Sequence, residues 1–359
     1  MAHRLKVGVV GGGVGINHIK AYQALPDLYS IEAICDIDAA RAATVARENG
    51  IPRAITDLRD LLALDVDIVD IATPSNLHAS QASAALDAGH HVIVEKPAAG
   101  SLAEIDMLAR SEKRSGKRLS PVFQYRFSNG LQRFLRVKAA GLLGKAYVAT
   151  IETHWRRPAS YYANPWRGRW ASELGGCLIT HAIHAHDILT EVLGPIASVY
   201  AITDTRVNAI ETEDCAAATL RMENGALVTL SVTLGSDKEI SRLRFCFDGL
   251  TVESNLDPYN PGTEPWQLTV PDPGLQQKID DATAGFAPGP ERWEGQFLRI
   301  HRALTEGGEL PVTLADARRS IELITAAYHS ARTGRAVALP IGKRHPLYGG
   351  WLPAAPESG

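Results

Sequence analysis

The residues best placed to do chemistry together are Glu95, Lys96 and Pro97, which close the stretch Gly89-His90-His91-Val92-Ile93-Val94. A short apolar run bounded by turn signals reads as a buried parallel strand. Ligands of an open parallel sheet sit beyond the carboxyl ends of its strands, so a carboxylate and an amine here project where a reaction takes place. Pro97 fixes its own φ and biases Lys96 towards an extended backbone, which aims the amine reproducibly. An exposed Lys–Glu pair is the ordinary alternative at a strand end. The upstream sequence decides between the two.

Leu5 to Val10 reads as a strand that runs into Gly11-Gly12-Gly13-Val14-Gly15, and Ile16 to Leu25 has helical character. Strand, glycine turn and helix together form a pyrophosphate cradle, with close backbone approach and amide donors at the helix start. The spacing is G-x-G-x-G, one residue shorter than the usual form, and a tight structural turn is the competing explanation. Asp36 follows the second strand, Ser30 to Cys35, and stands 25 residues after Gly11. A carboxylate there can bind both hydroxyls of an adenine ribose and repel a 2′-phosphate, which favours NAD over NADP. The helix from Ala39 to Asn49 then stops at Gly50 and Pro52. A short helix, Thr56 to Leu64, precedes a strand, Val66 to Ala72, that closes on Thr73-Pro74-Ser75-Asn76-Leu77-His78. His78 opens a helix to Ala88, Ser101 and Glu104 make a capping box, and Leu119 to Gln124 is the last strand. Alternating strands and helices imply an α/β, doubly wound parallel sheet. Its strand ends converge at the glycine turn, Asp36, Thr73 to His78 and Glu95 to Pro97.

The size and composition agree with this reading. A chain of 359 residues suits two domains, here 1–124 and 125–359. Hydrophobic content of 45% and charged content of 21% are those of an ordinary globular enzyme. A net charge of −3 gives no field for nucleic acid and no polybasic membrane segment. Cys35, Cys177, Cys215 and Cys246 are scattered without a CxxC pair, which fits a reducing compartment rather than a disulfide framework. No apolar run approaches the ~20 residues of a spanning helix and no signal peptide is evident, so a cytoplasmic protein is expected.

The glycine loop, Asp36, the Thr-Pro-x-x-x-His run and above all Glu95-Lys96-Pro97 resemble the glucose–fructose oxidoreductase, inositol dehydrogenase and rhizopine catabolism (Gfo/Idh/MocA) family. The resemblance continues through Tyr125-Arg126-Phe127, from Gly175-Gly176 to Asp187, and from Ala317 to Pro340. It implies an N-terminal Rossmann domain followed by an α+β domain with an open, mostly antiparallel sheet. It also implies sugar or polyol substrates, and homodimers or homotetramers built on that sheet. The implied cofactor contacts are Gly11, Gly13, Val14, Gly15, Asp36, Thr73, Pro74, Asn76, His78, Glu95, Lys96 and Gln124.

In the second domain Asn129 to Ala140 is amphipathic and Lys145 to Thr153 alternates like a strand. Next come His154-Trp155-Arg156-Arg157-Pro158, Tyr161-Tyr162 and Asn164-Pro165-Trp166-Arg167-Gly168-Arg169-Trp170. Arginines among aromatics can bind single-stranded nucleic acid, but in a slightly acidic chain they suit an oxygen-rich or anionic small ligand. An oligomer contact and a plain surface loop are the alternatives. A helix from Leu178 to Leu193 is expected next, with Thr180, His184, Asp187 and Glu191 on one stripe and Leu178, Ala182, Ala185 and Leu189 opposite. The polar stripe is either solvated or functional.

The family pattern on this helix is an Asp, a His four residues later and an Asp three further. His184 and Asp187 match it, and Thr180 replaces the first carboxylate. His184 is therefore the acid–base candidate, its intrinsic pKa lying near working pH. Lys96 is the second catalytic candidate. The candidate substrate contacts are Arg126, Trp155, Arg156, Tyr162, Trp166, Arg167, Thr180, His181 and Asp187. A metal is not expected, because His186 points away from His181 and His184 and no HExxH pattern exists. From Ile196 to Val252 the chain alternates as an antiparallel sheet with a turn at Asn224-Gly225, and Asp257 to Pro290 is a partly irregular excursion. The expected activity is NAD-dependent oxidation of a secondary hydroxyl of a sugar, glycoside or cyclitol, or the reverse. Two rivals are redox-neutral glycoside cleavage through transient C3 oxidation and β-elimination, and a non-catalytic NAD-bound sensor.

Overall fold

The computed structural model describes residues 3–353. The chain divides into two compact units, one running to Gln124 and including Pro290–Arg318, the other comprising Tyr125–Gly289 and the chain from Arg319.

The first unit alternates strictly through β1 (Leu5–Val10), α1 (Gly15–Gln23), β2 (Tyr29–Cys35), α2 (Ala39–Asn49), β3 (Ala54–Ile55) and α3 (Leu58–Leu62). It continues with β4 (Ile68–Ile71), α4 (His78–Asp87), β5 (His91–Val94), α5 (Leu102–Ser115) and β6 (Leu119–Pro121). All six strands are parallel, in the order β3-β2-β1-β4-β5-β6. This is the Rossmann arrangement, whose strand order reverses between β1 and β4. β4 is buried along its whole length and is apolar except for Asp70. Asp38 caps α2 by accepting the amides of Ala40 and Arg41, and Ser101 caps α5 by accepting that of Glu104. The helix Arg292–Thr305 belongs to this unit although the sequence reading left it with the second. Its Phe297, Ile300 and Ala303 complete the core formed by Val7, Val9, Ile34, Tyr22 and Tyr29.

The second unit starts with α6 (Asn129–Ala139), β7 (Ala146–Arg156), and three helical pieces: α7 (Trp170–Glu173), α8 (Cys177–Thr180) and α9 (Ile183–Leu193). Then follow β8 (Ile196–Asp204), β9 (Cys215–Met222), β10 (Leu227–Thr233), β11 (Gly235–Phe247), β12 (Leu250–Glu253), β13 (Gln267–Thr269), α10 (Pro273–Thr283) and, later, β14 (Val337–Ala338). The eight strands form one open sheet, β13-β12-β11-β7-β10-β9-β8-β14, antiparallel except where β10 meets β7. One face is buried and the other alternates outward, as in β9.

The expected helix Leu178 to Leu193 is in fact two. Thr180 turns its hydroxyl back onto the Gly176 carbonyl at 2.6 Å, and the chain restarts at Ile183. The expected excursion Asp257 to Pro290 contains α10, with Asp272 as its cap and Pro273 in its first turn.

Candidate active site

At the end of β1, Gly11 has φ +102° and sends its N–H to the Cys35 carbonyl at 2.8 Å. A Cβ there would lie 2.5 Å from the Ala72 carbonyl oxygen, so the turn requires glycine. A Cβ on Gly13 would meet nothing within 4 Å, which leaves the loop open where a pyrophosphate would approach. Gly15 is buried at the start of α1 and Val14 is exposed beside it. Asp36 is buried after β2, where it accepts the Gly12 amide at 2.8 Å and the Asp38 amide at 2.9 Å. Arg41 lies 3.4 Å from both its oxygens. The loop and the acidic strand end are thus one hydrogen-bonded unit that could hold a dinucleotide.

Across the strand-order reversal, the Thr73 hydroxyl donates to Gln81 at 2.6 Å, and Pro74 and the exposed Asn76 form the turn before α4. His78 is buried, with Nδ1 2.7 Å from the Pro97 carbonyl and Nε2 2.7 Å from the Thr73 carbonyl. It therefore ties the loop after β4 to the loop after β5, and burial holds its pKa below the ordinary value. Glu95 is buried, and its Oε2 accepts the Lys96 backbone amide at 3.0 Å. Lys96 is half-buried and precedes a cis proline, and Gln124 is buried beyond β6.

In the second unit His184 and Asp187 lie on α9, every residue of which from Ile183 to Thr190 is buried. His184 and Asp187 are therefore not solvated, while Thr180 and Glu191, at the ends of the stripe, are half-buried. The His184 ring stacks on Tyr125, centroids 4.4 Å apart and planes 22° apart. Asp187 takes a bidentate pair of hydrogen bonds from Arg126, both at 2.6 Å, and Glu191 lies 3.2 Å from the same guanidinium. His181 accepts the Arg157 Nε–H at 3.2 Å, so its Nδ1 donates to the Thr180 hydroxyl 2.6 Å away, which in turn donates to Gly176. His186 has neither ring nitrogen hydrogen-bonded, and burial lowers its pKa to about 3. Among the described residues no group of three His, Cys, Asp or Glu side chains could hold a metal ion.

Glu213, which the sequence reading did not single out, anchors this histidine segment. Its carboxyl accepts the amides of Gly176 at 2.9 Å and Leu178 at 3.1 Å and the Tyr328 hydroxyl at 2.9 Å. A Cβ on Gly176 would sit 1.8 Å from the Glu213 carbonyl oxygen, so glycine is obligatory there. Burial pushes the Glu213 carboxyl up to about 7, against the pull of those donors.

The aromatic and arginine segment separates into inner and outer parts. Trp155 is buried, bonded through Nε1 to Ser241 at 3.0 Å, and packs edge-on against His181. Arg156, a sequence candidate, points outward and pairs with Asp237. Its neighbour Arg157, not a candidate, turns inward, stacks on Trp155, Tyr161 and Tyr259, and reaches His181. Arg167 lies over Tyr161 and Trp166 and pairs with Glu173 at 3.3 Å. Tyr162 packs edge-on against Tyr161.

Two family models match the chain. Residues 5–123 match the oxidoreductase family with NAD-binding Rossmann fold, and residues 131–250 match the GFO/IDH/MocA C-terminal domain. A D-xylose 1-dehydrogenase (NADP(+)) of Haloferax volcanii is 30% identical over 347 residues, which are 92% of this chain and 99% of that one. The chain belongs to the Gfo/Idh/MocA oxidoreductase family. The D-glucoside 3-dehydrogenase of Escherichia coli is 26% identical, covering 93% of this family member and 97% of the relative. The WlbA dehydrogenase of Bordetella pertussis, solved with NADH and UDP-GlcNAcA, superposes with a TM-score of 0.84 at 29% identity, covering 95% of this chain and 100% of that one. This Gfo/Idh/MocA protein is accordingly an NAD(P)-dependent oxidoreductase. No helix among its described residues is long and apolar enough to cross a membrane.

Proposed function

We propose that this protein is an NAD-dependent dehydrogenase that oxidises a secondary hydroxyl of a neutral sugar, glycoside or cyclitol, or reduces the corresponding ketone. The observation that carries the reading is Lys96 at the carboxyl end of β5, its backbone held by the buried Glu95 carboxylate. Bound NAD supplies a hydride acceptor. The chain's part is to hold the substrate hydroxyl and move its proton. The Lys96 ammonium stabilises charge on the reacting oxygen, and His184 takes the hydroxyl proton and returns it in reduction. Stacking on Tyr125 fixes the plane of the His184 ring, and the Arg126–Asp187 pair braces α9 from which it projects.

Support for a sugar comes from the relatives, which include D-glucoside, D-xylose and D-apiose dehydrogenases. Support for a neutral one comes from charge pairing. The arginines of the aromatic segment each face a carboxylate: Arg156 with Asp237, Arg157 with Glu239, Arg167 with Glu173 and Arg169 with Glu211. An anionic substrate would have to displace these acids, while hydroxyls can stack and hydrogen-bond beside them. Asp36 supports NAD over NADP. The outward face of the eight-stranded sheet, with Val148, Tyr200, Ile202 and Leu227 exposed, supports self-association there.

The test is a panel of D-xylose, D-glucose, methyl D-glucosides, myo-inositol and D-glucuronate, each with NAD⁺ and NADP⁺, followed by NADH or NADPH absorbance and product analysis. The reading requires reduced cofactor with a neutral member in preference to glucuronate. Product without reduced cofactor would point to redox-neutral cleavage and against net oxidation.

A further inference from the structure

Beneath the Glu95–Lys96 strand end lies a fully buried chain of ionisable groups on three elements of the first unit. His18, on α1, places Nδ1 2.9 Å from both oxygens of Asp70 on β4 and Nε2 3.0 Å from Glu95 Oε1. The Tyr22 hydroxyl donates to Asp70 at 2.6 Å. His18 and Asp70 have no exposed surface, and the Glu95 residue is 6% exposed. The rings of Trp293 and Phe297 close the remaining side of His18, at 6.1 and 5.5 Å. A neutral imidazole has one N–H and can satisfy one ionised carboxylate. With a carboxylate on each nitrogen, both can stay ionised only if the ring carries two protons.

We propose that His18 is a positioning residue: a buried imidazolium clamped between Asp70 and Glu95, it keeps the Glu95 carboxylate ionised and in one rotamer. Glu95 in turn holds the Lys96 amide and sets the direction of the Lys96 side chain. The proposal rests on the reading of Lys96 as the group that meets the reacting oxygen.

The electrostatics agree with the geometry. Burial alone lowers the His18 pKa, but Asp70 and then Glu95 outweigh it and raise it to about 10. The other titratable groups around the chain are two tyrosines, a histidine and Lys96. Tyr22 and Tyr29 have raised pKa values, chiefly through burial and then through Asp70 in Tyr29, so both stay neutral. On the far side of Glu95 stand His78, kept below its ordinary pKa by burial, and Lys96 itself. Two carboxylates and one imidazolium leave one excess negative charge on the chain. Removing the imidazolium takes away the one cation the two carboxylates share; Asp70 keeps the Tyr22 hydroxyl and Glu95 the Lys96 amide, and burial then favours proton uptake by Glu95. A protonated Glu95 is a poorer acceptor for Lys96 N–H, so the amine loses its fixed direction.

The test compares wild type, His18→Gln and Lys96→Ala. On labelled wild type, ¹⁵N spectra of His18 are expected to show both ring nitrogens protonated from about pH 5 to about pH 9, and this measurement stands even if His18→Gln does not fold. In His18→Gln, the ¹³C signal of the Glu95 carboxyl and the ¹⁵N signal of the Lys96 amide are expected to titrate together, above the ordinary carboxylate range. Turnover of the best neutral sugar from the panel should fall ~100-fold and acquire the same titration, with NADH affinity changed far less. A purely structural role would lower stability without moving the Lys96 amide or the pH profile, and that result overturns the proposal. So does a singly protonated His18 in wild type at pH about 8. If Lys96→Ala keeps full turnover, the functional reading falls instead, whatever the His18 spectra show.

Discussion

Replacing Asp36 with alanine tests the cofactor half of the account. Asp36 accepts the Gly12 amide with one oxygen and the Asp38 amide with the other, leaving lone pairs on both for ribose hydroxyls. A hydrogen bond to a charged group contributes about 1.5–3 kcal/mol. Losing two at the lower figure costs ~3 kcal/mol, or a ~100-fold weaker hold on NADH. For NADPH the same carboxylate is an obstacle. A unit charge pair at ~4 Å in an effective dielectric near 20 repels by ~4 kcal/mol. Arg41, half-exposed and 3.4 Å away, screens part of that, so half is a fair allowance, ~2 kcal/mol or ~30-fold. The two effects multiply, and the NADH/NADPH affinity ratio should fall by ~3,000-fold. Asp36→Asn separates the causes, since its carbonyl still accepts from Gly12 while the charge is gone. Titration of each variant with NADH and NADPH by cofactor fluorescence gives the ratio directly. A ratio unchanged from wild type would refute the ribose contact and the repulsion argument together.

The remaining predictions concern the two glycine and carboxyl clamps. Gly11→Ala places a Cβ 2.5 Å from the Ala72 oxygen at φ +102° and should cost at least ~2 kcal/mol in denaturant unfolding. Gly13→Ala, whose Cβ meets nothing, should fold like wild type and yet bind NADH less well; equal binding would remove Gly13 from the phosphate site. Glu213 has a folded pKa of about 7 against an ordinary 4.5, so the folded state holds a proton that the unfolded chain releases between those values. Wild-type stability should therefore be highest below about pH 4.5 as far as this group is concerned, decline by of order 3 kcal/mol as pH rises to about 7, and change no further above it. Glu213→Gln should flatten that decline in denaturant titrations across the same range; an undiminished slope would assign it to other groups.

The parts of the molecule legible in the sequence are those where burial forces a pattern. Strands such as β5 are covered on both faces and so read as apolar runs ending at turns, and the order of strands and helices followed. The eight-stranded sheet was legible from alternation and from the family resemblance. What stayed hidden depends on partners distant in the chain. Nothing local to Arg292–Thr305 says which core its apolar face joins, and Phe297 and Ile300 join the first. The break after Thr180 carries no local signal, since Thr325 makes the same hydroxyl bond to its i−4 carbonyl inside an unbroken helix. Arg157 was passed over for Arg156, though period-two alternation from the inward Trp155 sends Arg156 out and the next residue in. The cap signature Asp272-Pro273 was available to find α10 and went unused. His18, Asp70 and Glu213 looked ordinary because a buried charge is recognised only with its partners in view.

Turnover by Lys96→Ala is the most direct measure of the central claim. The variant should bind NADH with affinity close to wild type, because its backbone contact to Glu95 is retained, and should show no measurable oxidation of the preferred sugar. Wild-type turnover by Lys96→Ala, with the same substrate and cofactor, would contradict the assignment of the reacting site to the end of β5.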